Sequence, residues 1–224
     1  MRITYGTSPL LRRILFLLLG LLIMAFGTAL SIKAGLGISP VTSLPYVVSL
    51  HSPLTVGEGL ILLYSLMILL QILLLRRRYR PIQLLQLAAG IAIGYMTDFA
   101  NWVLRDVGYA AYWQQWALCL AGIALVAVGV SFEVTAEVVP LAGEGLVLAI
   151  CSVSNIQFGT MKVLLDVSVV ASAFLVSLIV SGGVEGVREG TVAAAILVGL
   201  LARRINIPLA RFRDRYLCPA EEHL

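Results

Sequence analysis

Charged side chains are too few here to clothe a soluble surface. Asp, Glu, Lys and Arg make up 12% of the 224 residues, where soluble domains carry about 25%. Hydrophobic residues reach 60%, and a soluble monomer with that balance would leave large apolar patches in water. The shortage excludes a soluble enzyme, a DNA-binding domain and a disordered scaffold, and puts the chain in a membrane. Cysteine is sparse too. Cys119, Cys151 and Cys218 are too few and too scattered for a disulfide framework or a zinc site with CxxC spacing. Two lone histidines, His51 and His223, add no metal cluster. There is no HExxH, no Gly-x-Ser-x-Gly elbow and no GxxxxGK[ST] phosphate loop. The expectation is a protein that is not an enzyme, with no catalytic residue, metal, cofactor or nucleic-acid partner. Its net charge of +4 reads as membrane topology, because arginine collects in cytoplasmic loops.

What is present is apolar length. A bilayer-crossing helix needs about 20 apolar residues, and six stretches supply them. They run from Ile14 to Ser31, Val56 to Leu75, Ile82 to Leu104, Trp116 to Ala136, Phe158 to Ser181 and Val187 to Leu201. The first follows Arg12-Arg13 and ends among Gly27, Ala29 and Ser31, as a signal peptide can. Its length and its place in a repeat read it as a retained helix. The fold class expected is all-α, a single membrane domain over 1–224 ending in a cytoplasmic tail at 206–224.

Arginine orients the bundle. Arg2, Arg12 and Arg13 precede the first span. Arg76, Arg77, Arg78 and Arg80 separate the second and third, and Arg203, Arg204, Arg211, Arg213 and Arg215 follow the last. Six spans put all three clusters on one side, the cytoplasmic one by the positive-inside rule, with both termini there. The other side carries Lys33, Arg105 and Arg188, with Tyr109, Tyr112, Trp113 and Trp116 as an aromatic anchor. The expected home is a bacterial inner membrane.

The two halves, about 14–104 and 116–205, resemble each other. Gly20, Gly27 and Gly57 map onto Gly122, Gly129 and Gly159 at a shift of 102, and with small gaps Pro40 falls opposite Pro140 and Gly94 opposite Gly199. Each half holds three spans, so the second would be inverted relative to the first, as in many secondary transporters. A chance hydropathy match is the alternative. Each half also carries a segment too short to cross: Ala34-Gly35-Leu36-Gly37-Ile38-Ser39-Pro40 with Val41 to Leu50, and Val138-Val139-Pro140-Leu141-Ala142-Gly143-Glu144-Gly145 with Leu146 to Val153. Gly35, Gly37, Pro40, Pro140, Gly143 and Gly145 are the expected hinges, since glycine permits unusual backbone angles and proline suits a helix start. Such segments either dip into the membrane from opposite sides, where protein or a cavity satisfies their backbone, or lie flat at the interface.

These residues resemble the YczE/YyaS/YitT family of bacterial membrane proteins. The likeness rests on the run from Ala34 to Pro40, on Leu54-Thr55-Val56-Gly57, and on Gly182-Gly183-Val184-Glu185-Gly186 leading into Gly190-Thr191. It extends from about Leu15 to Ile205. The family's usual proline shortly after Gly199 is replaced by Leu200-Leu201-Ala202-Arg203. The resemblance implies a polytopic inner-membrane protein and supplies no site residues.

Charges inside the hydrocarbon cost roughly 2.5–3.5 kcal/mol each on insertion scales, so each is a candidate for function. Lys33, Glu58 and Asp98 fall near the first short segment, with Asn101 one turn beyond Asp98 as a polar partner. Glu133, Glu137, Glu144, Lys162 and Asp166 fall near the second. Glu133 and Glu137, four apart, would share a helix face. Lys162 and Asp166 have the spacing of an ion pair. Ser39, Thr42 and Ser43 offer hydroxyls to a ligand or a helix cap. The candidate substrate- or ion-binding set is Glu144, Glu133, Asp98, Asp166, Lys162, Ser39 and Thr42. It suits a secondary transporter of a small polar or charged solute, coupled to a proton or cation. The alternative is a non-catalytic accessory or assembly protein whose Gly20, Gly27, Gly90 and Gly94 face a partner helix. The expected partners are the lipid bilayer, a small solute and a proton or cation, with a homo-oligomer left open.

Overall fold

The computed structural model describes residues 7–213. Arg2, Arg215, Cys218, His223 and the tail beyond 213 lie outside the described residues. Within them the chain forms α1 (Thr7–Ala34), α2 (Pro40–His51), α3 (Val56–Leu75), α4 (Leu85–Val103), α5 (Tyr112–Ala136), α6 (Ala142–Val153), α7 (Phe158–Ser181) and α8 (Glu189–Phe212). Six of these are long and apolar enough to cross a membrane, and the chain is a multi-pass membrane protein. α2 and α6 have 12 residues each. At 1.5 Å per residue they reach only about 18 Å, short of the ~30 Å hydrocarbon core.

The second and fifth expected spans, Val56–Leu75 and Phe158–Ser181, are found with those bounds as α3 and α7. α8 differs. It continues past Leu201 to Phe212, carrying Pro208 inside it, so residues 206–212 are helix rather than the start of a tail. α6 also begins earlier than expected, at Ala142. Gly143 and Gly145 therefore sit in a helical first turn and are not hinges. The smallness of Gly145 serves packing, because a Cβ there would come within 2.6 Å of the Gln86 amide, whereas one on Gly143 would meet only Met67 Sδ at 3.9 Å. The left-handed residue before α6 is Glu137 at φ 49°. The approach to α2 is built on glycine. Gly35 and Gly37 take φ 66° and 100°, angles open to glycine without a Cβ penalty, and Pro40 opens the helix after Ser39.

α1 and α5 cross antiparallel at the centre of the bundle. Gly20 lies against Gly129, and Gly27 against Gly122. An added Cβ on Gly27 would approach the Gly122 carbonyl to 2.7 Å, and one on Gly129 the Gly20 carbonyl to 2.6 Å. Such backbone-to-backbone contact is how membrane helices gain van der Waals attraction where lipid offers no hydrophobic drive. Phe16 and Phe132 stack beside this seam, with centroids 4.2 Å apart.

The remaining helices pack around that pair. α4 lies on α1 and α8 on α5, while α2 packs on α7 and α6 on α3. α3 and α4 are pressed together, with Gly94 against Ile61 and Gly90 against the Tyr64 ring. α7 and α8 share no such packed face. One end of the bundle, here the basic end, gathers Arg13, Arg213 and Glu137. The opposite, aromatic end gathers Tyr109, Tyr112 and the contacts of Arg188 with Gly35 and of His51 with Glu185.

Candidate functional site

A cavity of about 330 Å³ lies between the N-termini of α2 and α6, at the lower end of the ~300–1,000 Å³ range of small-molecule pockets. Ser39, Pro40 and Thr42 reach it from the start of α2, and Leu141, Gly143 and Glu144 from the start of α6. α5 contributes Glu133 and α7 contributes Lys162 and Asp166. Six of the seven expected binding residues thus line one space, although they come from four helices.

Each polar group has a distinct setting. Glu133 is only 3% exposed, and its Oε1 accepts the Leu141 N–H at 2.8 Å. That bond ties the end of α5 to the start of α6, satisfying one of the donors a helix start leaves unpaired. Lys162 Nζ donates to Asp166 Oδ1 at 2.8 Å, the ion pair their spacing suggested. Ser39 and Thr42 hydroxyls lie 2.9 Å apart and bond to each other. Glu144 makes no hydrogen bond or ion pair with any described residue. It lies within electrostatic range of Lys162 and Asp166.

Asp98 is elsewhere. Its carboxylate accepts the Thr55 hydroxyl at 2.6 Å and the Gly57 N–H at 2.9 Å, capping α3 from α4. The partner is the helix start across the α3–α4 seam, and not Asn101. Glu58 closes a capping box with Thr55, and Lys33 donates to the Arg105 carbonyl. The charges near the first short segment therefore serve helix ends. Glu137 also departs from expectation. Because α5 ends at Ala136, Glu137 leaves the face that carries Glu133 and pairs with Arg213 at 2.6 Å and Arg13 at 3.9 Å.

Sequence reasoning missed several residues. Tyr64, Thr28 and Thr97 line the cavity, but hydroxyls on uniformly apolar helices give no periodic signal. Gln71 and Gln86 were findable as amides inside apolar spans. Gln71 donates to Gln86 and to the Ala142 carbonyl, fixing where α6 begins. Arg13 looked like a topology signal. It is 4% exposed and donates to the Ala136 and Glu137 carbonyls, closing the C-terminus of α5.

Comparison with known proteins gives consistent results. The model of a family of unknown function, DUF6198, matches residues 11–207. The uncharacterized membrane protein YczE of Bacillus subtilis (strain 168) is 28% identical over 197 residues, covering 88% of this chain and 86% of its own. The uncharacterized protein YyaS of the same organism is 27% identical over 184 residues, covering 82% and 87%. No solved structure matches.

Proposed function

The chain belongs to the DUF6198 family, and for this member we propose a non-enzymatic secondary transporter that alternates access to the cavity between α2 and α6. The observation that carries this reading is convergence: two short helices from different halves start at one cavity, beside carboxylates at membrane depth. Helix starts facing a midplane cavity recur in transporters built from inverted repeats. The packing supports such a repeat. Exchanging the halves turns α1–α4 into α5–α8 and α2–α7 into α6–α3, pairs that are all in contact. The glycine seam obeys the same exchange, since Gly20 with Gly129 becomes Gly122 with Gly27.

One pair breaks the exchange. α3 and α4 are closed on each other, whereas α7 and α8 are parted. Gly57 packs against the Gly94 carbonyl, yet their counterparts Gly159 and Gly199 have nothing within 4 Å of an added Cβ. In our reading this is one of two states, and in the other α7 and α8 close through those glycines while α3 and α4 part. With the basic end cytoplasmic by the positive-inside rule, the state at hand opens inward, in a bacterial inner membrane with both termini inside. Glu133 and Glu144 then bind the proton or cation to which movement of the small polar or charged solute is coupled.

The accessory-protein reading loses its stated surface. Gly20 and Gly27 pack on α5, and Gly90 and Gly94 on α3, so none faces a partner outside the bundle. A test needs no known solute. Thr42→Cys, in a background lacking Cys119, Cys151 and Cys218, should react with an impermeant maleimide from either face of sealed vesicles. Reaction from one face alone, under every imposed gradient, would make the cavity a fixed pocket and overturn the transporter.

A further inference from the structure

We infer that the cavity takes an organic ammonium ion with an apolar body, a deepening that rests on the transport reading above. The charge balance comes first. Among the cavity residues the carboxylates Glu133, Glu144 and Asp166 share one cation, Lys162, which is bonded to Asp166 at 2.8 Å. The positive end of α6 does not call for an anion, because Glu133 accepts its Leu141 N–H and Glu144 stands in its first turn. Two carboxylates facing one space require a positive partner when both are ionised.

Two hydroxyls add polar contacts beside the acids. Tyr64 is 7% exposed and Thr28 is 6% exposed, both line the cavity, and neither hydroxyl bonds to any described protein group. Both hydroxyls open onto the cavity and are not sealed in protein, so their lone pairs are available to a donor placed there. Tyr64 stands within electrostatic range of both Glu133 and Glu144. Gly90 holds one side of its ring, with a Cβ there only 3.2 Å from Cδ2. Two carboxylates and a phenol are the groups that recognise an ammonium, through charge-assisted hydrogen bonds and cation–π attraction.

The rest of the wall sets the body of the ligand. Val126, Val130, Val163 and Val198 continue the cavity toward the gap between α7 and α8. Val163 is 62% exposed on a spanning helix, so this wall runs out to the lipid-facing surface. A methylated or hydrated inorganic cation would leave that apolar length unfilled. An arylalkylamine fills it, with its ammonium at Glu133, Glu144 and Tyr64.

Calorimetry on the full chain in nanodiscs tests this with three probes: phenethylamine, methylamine and phenylacetate. Phenethylamine should bind, methylamine should bind more than about tenfold more weakly for lack of an apolar body, and phenylacetate should not bind. Glu144→Gln should weaken phenethylamine by more than about tenfold, and Tyr64→Phe by roughly three- to tenfold. Glu58→Gln, which removes a carboxylate outside the cavity, should leave binding unchanged. If thermal melts show that Glu144→Gln does not fold, Tyr64→Phe and Thr28→Val decide. Absence of phenethylamine binding, equal binding of phenylacetate, or full affinity in Tyr64→Phe would overturn the ammonium site. Two-sided labelling of Thr42→Cys together with any of those results would retain transport and discard this ligand class. One-sided labelling with normal phenethylamine binding would do the reverse.

Discussion

In the proposed repeat the α3–α4 pair corresponds to the α7–α8 pair, yet one is closed and the other parted. Glycine is present at the same points in both, Gly57 and Gly94 in the first and Gly159 and Gly199 in the second. Glycine alone therefore does not close a helix pair. The difference lies in what surrounds it. At the first pair Asp98 reaches from α4 to cap α3 through Thr55 and Gly57. At the second, Arg203 stands near the place of Asp98 in the proposed repeat, and the N-cap Gln157 of α7 makes no side-chain cap bond. A carboxylate suits a helix N-terminus and a guanidinium does not. The closed pair has a latch, and the parted pair has only the small surfaces that would let it close.

Substitutions that separate the two pairs should differ in size. The largest effect belongs to the seam both halves share. Gly27→Leu forces a side chain into the α5 backbone, and overpacking of that kind costs upward of ~1–3 kcal/mol. Little folded protein should survive size-exclusion chromatography in detergent. Next comes the latch. Asp98→Ala removes two hydrogen bonds to a charged group, each worth about 1.5–3 kcal/mol. It should lower the melting temperature and raise maleimide labelling of Thr42→Cys from the aromatic end.

Smaller still is the contrast between equivalent glycines. Gly94→Ala should destabilise, because its Cβ meets Ile61 at 2.6 Å and the Gly57 carbonyl at 2.8 Å. Gly199→Ala meets nothing and should be neutral or stabilising by up to ~1 kcal/mol from helix propensity. If the two melt alike, the asymmetry between the pairs has no energetic meaning. The smallest effect is at Glu137→Gln. Its carboxylate is 45% exposed in both ion pairs and Arg13 keeps its bonds to the Ala136 and Glu137 carbonyls, so thermal melts should shift by less than ~1 kcal/mol equivalent.

Much of this arrangement was legible in the residues, for reasons that also explain the rest. Long apolar runs and arginine clusters mark spans and ends locally, and the pairing of short Gly-Pro segments needs only the chain order. Glu133, Glu144, Lys162 and Asp166 stood out because a charge in an apolar run is conspicuous wherever it points. Direction was the hidden part. Asp98 carries the same signal as Glu133, but its partners lie across a helix seam at Thr55 and Gly57, a pairing no local spacing encodes. Glu137 seemed to continue the face of Glu133 until the helix ended one residue before it. Tyr64 and Thr28 were silent because helices apolar on every side give no periodicity to show which face looks inward.

The most direct test of alternating access is a pair of distances across the two corresponding seams. Spin labels at Leu164 and Leu200, exposed on α7 and α8, report one pair, and labels at Leu62 and Tyr95 on α3 and α4 report the other. Pulsed electron–electron resonance on the two double-cysteine variants, each lacking the native cysteines and held in nanodiscs, gives both distributions. The account predicts two populations at each seam, with phenethylamine or a change of pH shifting them in opposite senses, so that α7–α8 shortens as α3–α4 lengthens. A single unchanging distance at both seams under every condition would contradict it.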